Sequence, residues 1–149
     1  MADCLFCTVL GELRAADTYR APGGHVFRKV AELPASVAIL GGDQFYRGYT
    51  MVVARTHATE LYHLPDAERA RYLDDMVRVA RAIDAAFRPR KMNYECLGNT
   101  VGHLHWHLFP RYADDPTPLR PIWEHVHPPG VLGDADAAAV IASIARHLA

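Results

Sequence analysis

The chain has 149 residues, 50% of them hydrophobic, with 16 basic and 17 acidic side chains and a formal net charge of −1. This length predicts one domain, residues 1–149, with one hydrophobic core. The lack of excess positive charge argues against nucleic-acid and acidic-membrane partners, and no apolar run is long enough to span a bilayer. Because the N-terminus also lacks the basic start of a signal peptide, we expect a cytoplasmic protein.

The first motif along the chain is a pair of cysteines, Cys4 and Cys7, separated by two residues. In a reducing compartment this spacing more often belongs to a metal clip or a redox pair than to a structural disulfide. The third cysteine, Cys96, is interpreted as a small buried apolar residue.

Three short strands are predicted next, over residues 26–30, 36–40 and 48–54. These segments are rich in β-branched and other apolar side chains, and turn-forming residues separate them. They indicate an antiparallel sheet.

A long amphipathic helix is predicted over residues 65–87. Pro65 suits its first turn, and Pro89 ends it because proline lacks the backbone donor that a helix interior needs. Its apolar positions recur at intervals of three and four residues, and they are Leu73, Met76, Val77, Ala80, Ile83 and Phe87.

A second pair of strands follows the helix, over residues 92–97 and 103–109, with a glycine-bounded loop at residues 98–102 between them. Pro110 is expected to end the second strand. Residues 112–133 lack periodicity. Asp134 is expected to cap the N-terminus of a short alanine-rich helix that reaches about Leu148.

These elements predict an α+β fold, with an antiparallel sheet of about five strands, one long helix and a C-terminal helix.

Three histidines alternate with apolar residues in the last predicted strand: His103, His105 and His107. Alternate side chains of a strand share one face, so we expect the three imidazoles to lie on one face, roughly 6.6 Å apart. Packing alone does not explain three polar side chains in this register. The pattern therefore indicates a functional site.

Three kinds of chemistry could use such a row of histidines. Two neutral imidazoles can chelate one metal ion, a neutral imidazole can attack phosphorus as a nucleophile, and a histidine can serve as a general acid or base. The loop residues Gly98, Asn99 and Thr100 favour the nucleophile, because their amide and hydroxyl groups suit phosphate oxygens. No conspicuous carboxylate near the histidines is found in the sequence to complete a catalytic metal site.

The segment HLHWHLF, followed by Pro110 and Arg111, resembles the signature of the histidine triad (HIT) family of nucleotidyl hydrolases and transferases. The segments CLFCTVLGEL and GYTMVVARTH resemble two further motifs of bacterial members, in particular those of the diadenosine tetraphosphate hydrolase type. The resemblance covers residues 3–111 and leaves residues 112–149 as a C-terminal tail. It implies a HIT-like fold and a homodimer.

The resemblance also implies a mechanism. His105 would attack the α-phosphorus of a nucleotide and form a covalent nucleotidyl-histidine, and His107 would donate a hydrogen bond to the phosphoryl group or to the bridging atom. Gly98, Asn99 and Thr100 would bind phosphate oxygens. Dinucleoside polyphosphates or nucleoside phosphoramidates would be the substrates. The alternatives are a nucleotide-binding regulatory module with little turnover and a metal-dependent hydrolase that uses all three histidines.

A structural zinc ion is implied by the same resemblance, with Cys4, Cys7, His57 and His103 as its ligands. Two sulfur and two nitrogen ligands form a common tetrahedral zinc site. No organic cofactor is expected.

Two positions depart from the family pattern. Tyr49 stands where members carry a histidine that supports the triad, and Gly41 stands where they carry an acid or Asn that binds ribose, with Asp43 nearby.

The resemblance also bears on the tail, because the C-terminal segments of family dimers reach the partner's active site. Trp123 would either stack on a base there or cover the core. Arg111 would either attract polyphosphate or lie in solvent at the strand end. The five other histidines are expected at the surface, and they are His25, His63, His125, His127 and His147.

Overall fold

A computed structural model describes residues 4–148 of the chain, so the predicted limits at residues 1, 3 and 149 lie outside the described part. The three helices are α1 (Leu5–Glu12), α2 (Asp66–Phe87) and α3 (Asp134–Ala145). The six strands are β1 (Thr18–Arg20), β2 (Val26–Glu32), β3 (Ser36–Leu40), β4 (Thr50–Ala54), β5 (Lys91–Glu95) and β6 (His105–Arg111). The predicted α+β class is confirmed.

All six strands form one antiparallel sheet in the order β1-β2-β3-β4-β6-β5. Alternate residues of each strand face opposite sides, which gives the sheet two separate cores. Helices α2 and α3 pack on one side, over residues such as Val52 and Leu108. Helix α1 packs on the other side, with Phe6, Val9 and Leu10 buried against Ile39 and Val53.

The sequence prediction missed two elements, α1 and β1. Helix α1 is only 8 residues long and β1 only 3, so neither shows a clear period. The predicted limits of the histidine strand are also wrong, because β6 begins at His105 and continues through Pro110 to Arg111. Proline is tolerated there because the pairing of β6 with β4 ends at Leu108, so only β5 lies alongside.

Helix α2 begins one residue after the predicted start, with Pro65 as its N-cap, and ends at the predicted Phe87, but its buried face is shifted from the predicted one. Tyr72, Val79 and Ile83 are fully buried, whereas Val77 is 38% exposed. Asp75 is the unexpected member of this face, at 2% exposure. Its carboxylate accepts hydrogen bonds from the backbone N–H of Ala35 and the hydroxyl of Ser36, both at 2.8 Å. These bonds tie α2 to the start of β3.

The C-terminal helix differs from its prediction at both ends. Asp134 is its first residue instead of its cap, and its carboxylate binds Arg20 and Arg28 of the β1-β2 hairpin. The helix ends at Ala145, three residues before the predicted end. In the described part of the chain, no helix is both long and apolar enough to cross a membrane.

Candidate active site and metal centre

Four potential metal ligands converge beside the first turn of α1. Cys4 precedes the helix and Cys7 lies in it, while His57 follows β4 and His103 precedes β6. Their ligand atoms all lie within 4.8 Å of one another. The sheet therefore brings together all four residues of the predicted zinc site.

Three of the separations between these atoms match edges of a zinc tetrahedron. Cys4 Sγ lies 3.4 Å from His103 Nδ1, Cys7 Sγ lies 3.4 Å from His57 Nδ1, and the two Nδ1 atoms are 3.3 Å apart. Zinc bonds of about 2.3 Å to sulfur and 2.0 Å to nitrogen, at tetrahedral angles, put two nitrogen ligands roughly 3.3 Å apart and a sulfur and a nitrogen ligand roughly 3.5 Å apart. The residues thus fit the ion in number, chemistry and spacing.

His103 is oriented for this role by a second hydrogen bond. Its Nε2–H donates to the carbonyl oxygen of Ala54 at 2.8 Å, which leaves the lone pair of Nδ1 directed at the sulfur atoms. The prediction of three imidazoles on one strand face is therefore wrong for His103, which lies outside β6 and faces the cysteines.

His105 begins β6 and has a defined tautomer. Its Nδ1–H donates to the carbonyl oxygen of His103 at 2.6 Å, so Nε2 carries a free lone pair. Burial lowers the pKa of His105, which keeps the ring neutral. The ring packs against Phe6 of α1, with 4.7 Å between ring centroids. A neutral imidazole with a fixed tautomer is suited to nucleophilic attack.

His107 lies next to His105, with 4.6 Å between ring centroids. Burial and the neighbouring His105 lower the pKa of His107 to about 4. Its Nδ1 lies 2.6 Å from the hydroxyl of Tyr49, whose pKa is raised by burial. Because the phenol stays protonated and the imidazole stays neutral, Tyr49 donates and Nδ1 accepts. The proton of His107 is then on Nε2.

The predicted phosphate loop lies beside both histidines. Gly98, Asn99 and Thr100 line a cavity of about 360 Å³ together with His105 and His107. Gly98 has a φ of 71°, a conformation that favours glycine. The remaining wall is apolar and consists of Phe6, Met51, Leu97, Val101 and Trp123. In the described part of the chain, no lysine or arginine lines this cavity.

A second cavity of about 550 Å³ also borders His107 and is lined among others by Phe27, Asp43, Phe109, Trp123, His125 and His127. Trp123 lies edge-on to His107 of its own chain, with 6.0 Å between ring centroids. It is 54% exposed, so it covers the site and not the core. The expectation that His125 and His127 are surface residues is wrong, since both are half-buried. The alternation of Trp123, His125 and His127 is the sequence signal that could have indicated this position beside the site.

Asp43 lines the second cavity, two residues after Gly41, where the family pattern has the ribose-binding acid or Asn. One of its oxygens accepts hydrogen bonds from the backbone N–H of Phe45 at 3.0 Å and of Gly130 at 2.8 Å. Its other oxygen lies 3.8 Å from Nδ1 of His127. The C-terminal segment is thereby held over the cavity.

Glu95 is a site residue that sequence reasoning missed. It pairs directly opposite His107 across β5 and β6, so the two side chains share a face. One oxygen of its carboxylate is buried without a hydrogen-bond partner in residues 4–148, and burial raises its pKa. The expectation of no carboxylate near the histidines is therefore wrong, because the pairing register of β5 cannot be read from spacing alone.

Arg111 has neither of the two predicted roles. It is 4% exposed and donates to the side chain of Asn93 at 2.6 Å and to the carbonyl of Thr117 at 2.7 Å. It also pairs with Asp115. Arg111 therefore anchors the C-terminal segment and is unavailable to polyphosphate.

Comparison with known proteins gives a family, sequence relatives and structural neighbours that agree with one another. The model of the HIT domain matches residues 27–114. "Protein hit" of Bacillus subtilis is 30% identical over 117 residues, which cover 74% of this chain and 72% of that protein. Adenosine 5'-monophosphoramidase hnt1 of Schizosaccharomyces pombe is 26% identical over 116 residues, covering 72% and 74% respectively. A histidine triad protein from Bradyrhizobium japonicum superimposes with a TM-score of 0.73 at 26% identity, covering 95% of this chain and 96% of that one.

Proposed function

The chain belongs to the histidine triad family, and from this premise we propose that it is a nucleotidyl hydrolase or transferase that works through a covalent intermediate on His105. One observation carries the proposal. The Nδ1 proton of His105 is bound to the carbonyl of His103, so the free lone pair is on Nε2 in a ring that lines the cavity of the phosphate loop.

The reaction would have two displacements. Nε2 of His105 forms a bond to the α-phosphorus, and the leaving group departs with the electron pair of its bond to phosphorus and takes up a proton. Water then attacks the phosphorus, the P–N bond breaks, and the proton released by water replaces the one that the leaving group took. A transferase would use another nucleophile in place of water.

The groups around His105 would stabilise the charge that develops on phosphorus. Nε2–H of His107 is a neutral donor beside the nucleophile. Asn99 and Thr100, on the wall of the same cavity, provide amide and hydroxyl donors. Such donors contribute most when they are already oriented before the reaction.

We favour nucleoside phosphoramidates over dinucleoside polyphosphates as substrates. A polyphosphate leaving group carries several negative charges, whereas no lysine or arginine among residues 4–148 lines either cavity beside His107. The Schizosaccharomyces pombe relative is named as a monophosphoramidase, which supports the same choice.

We also propose that Cys4, Cys7, His57 and His103 hold a structural zinc ion. Four protein ligands leave no open position on the metal, so the ion would fix the N-terminus of α1 next to β6 and take no part in the reaction. The homodimer and the cytoplasmic location stay predictions.

Trapping the intermediate tests the proposed function. A reaction with a nucleoside phosphoramidate, quenched rapidly and measured by intact-protein mass spectrometry, should show a nucleotidyl adduct. The adduct and the turnover should disappear in His105→Ala and remain in His147→Ala, which changes an exposed histidine just after α3. Dinucleoside polyphosphates in the same panel should react more slowly.

Each alternative has its own result in this experiment. Tight nucleotide binding without turnover of any substrate would identify a binding module. Turnover that needs added metal and gives no adduct would identify a metal-dependent hydrolase. Faster reaction of dinucleoside polyphosphates would contradict the choice of substrate class.

A further inference from the structure

Hydrogen bonds within the loop between β3 and β4 fix the backbone of Tyr49. The side chain of Gln44 closes this loop from inside: its Nε2 donates to the carbonyls of Gly41 at 2.9 Å and Tyr49 at 2.7 Å. Its Oε1 accepts from the backbone N–H of Gly48 at 2.8 Å. Three bonds from one buried amide therefore fix the backbone on both sides of the loop.

The ring of Tyr49 fills a space that exists only because residue 41 is glycine. A Cβ atom at Gly41 would lie 2.1 Å from Cδ1 and 2.3 Å from Cε1 of this ring. Phe109 stacks on the ring, with 4.0 Å between centroids and an interplanar angle of 14°. The ring is thus held between two neighbours, and its hydroxyl reaches Nδ1 of His107 at 2.6 Å.

We propose that Tyr49 is a positioning residue that fixes His107 in the tautomer with its proton on Nε2, and that Gly41 is the position that makes room for it. The two departures from the family pattern, at positions 41 and 49, are then one coupled feature. This inference rests on the proposed function for its effect on rate, but the tautomer itself can be observed without any reaction.

The charged groups near this contact favour a phenol over a second imidazole. Glu95 and Asp43 both raise the pKa of Tyr49 further above its value in solution. The phenol therefore remains a donor throughout the neutral range, whereas a histidine there would exchange between donor and acceptor forms. His107 consequently presents the same N–H to the substrate at every pH near neutrality.

The first test removes only the hydroxyl. In Tyr49→Phe, nitrogen NMR of the imidazoles should show the two His107 nitrogens moving towards each other, because both tautomers become populated. kcat should fall about 10- to 100-fold, the effect of losing one buried hydrogen bond, while KM stays within about twofold. Tyr72→Phe is the matched control, since it removes the buried hydroxyl that donates to the carbonyl of Val52 on the opposite side of the sheet. It should lower stability and leave the His107 nitrogens unchanged.

The second test displaces the ring and keeps the hydroxyl. Gly41→Ala should change the His107 nitrogens as Tyr49→Phe does, because the new Cβ overlaps the Tyr49 ring. Gly42→Ala should leave these nitrogens unchanged, since a Cβ there meets nothing within 4 Å.

An unchanged His107 tautomer in Tyr49→Phe would overturn the inference. A changed tautomer with no turnover of any substrate in the parent protein would instead contradict the proposed function and leave the inference standing. A lower kcat in Tyr72→Phe equal to that in Tyr49→Phe would show that lost stability, and not positioning, sets the rate.

Discussion

Replacement of both N-terminal cysteines, Cys4→Ser with Cys7→Ser, should release α1 without unfolding the sheet. Both sulfur ligands of the proposed zinc site disappear in this double variant. The helix then depends on its own packing, which rests on four buried side chains: Phe6, Val9, Leu10 and Leu13.

The free energies of ordering α1 show why the metal decides whether this helix stays folded. Burial of four such side chains contributes about 6–12 kcal/mol, and ordering ten residues of backbone costs about 10–20 kcal/mol. Helical hydrogen bonds contribute about 1 kcal/mol each, so the net free energy of ordering α1 without metal is close to zero. A zinc ion at about 1,000 times its dissociation constant adds about 4 kcal/mol to the ordered state, enough to fix α1.

Two measurements check this prediction. Elemental analysis should find one zinc per chain in the parent and none in the double variant. Hydrogen exchange should show residues 4–13 exchanging as unfolded peptide in the variant, with β3 and β4 still protected. Cys96→Ser is the matched control and should retain zinc, because Cys96 lies outside the cluster.

The site should respond as well, because Phe6 of α1 packs on the ring of His105. Loss of this contact should lower kcat. The reasoning is refuted if the double variant keeps stoichiometric zinc, or if residues 4–13 remain protected in metal-free protein.

Two further predictions concern stability. Asp75→Ala should cost about 2–4 kcal/mol in chemical denaturation, because the N–H of Ala35 and the hydroxyl of Ser36 lose their shared acceptor inside the protein. The exposed Asp74→Ala should change stability little, and equal effects of the two would contradict this reasoning. The pKa of His107 is lowered from 6.5 to about 4, so between these pH values the imidazole is protonated in the unfolded chain and neutral in the folded chain. This difference in proton binding is a free-energy penalty on the folded state. This penalty is absent above pH 6.5 and grows as the pH falls towards 4, where it reaches about 2 kcal/mol after allowance for partial exposure. The loss of stability between pH 7 and 4.5 should be smaller by a similar amount in His107→Asn, and an unchanged loss would contradict the lowered pKa.

Much of the fold follows from local patterns in the sequence. Strands β2, β3 and β4, the long helix α2 and the pair β5-β6 were all predicted near their observed positions. The signal for β2, β3 and β4 is enrichment in β-branched and apolar side chains between turn-forming residues, whereas α2 and the β5-β6 pair show periods of about 3.6 and two residues. The short elements α1 and β1 have no such period, since contacts with the rest of the chain stabilise them.

The spacing of cysteines and histidines likewise indicated which residues would meet at the metal centre. Cys4, Cys7, His57 and His103 are brought together as the resemblance implied. Tertiary contacts decided the remainder of the site. Glu95 faces His107 because of strand register, and Trp123 reaches its own His107 because the buried Arg111 anchors the segment between them.

The sequence by itself determined an α+β fold of the histidine triad family, with a nearly neutral chain whose histidines mark the site. Only the tertiary structure decided that His125 and His127, which the sequence placed at the surface, are half-buried and line the cavity that adjoins the site. It also decided that Tyr49 donates to His107. The physical reason is that residue type and spacing fix local geometry, whereas tautomer, burial and pKa depend on neighbours that are distant in the chain.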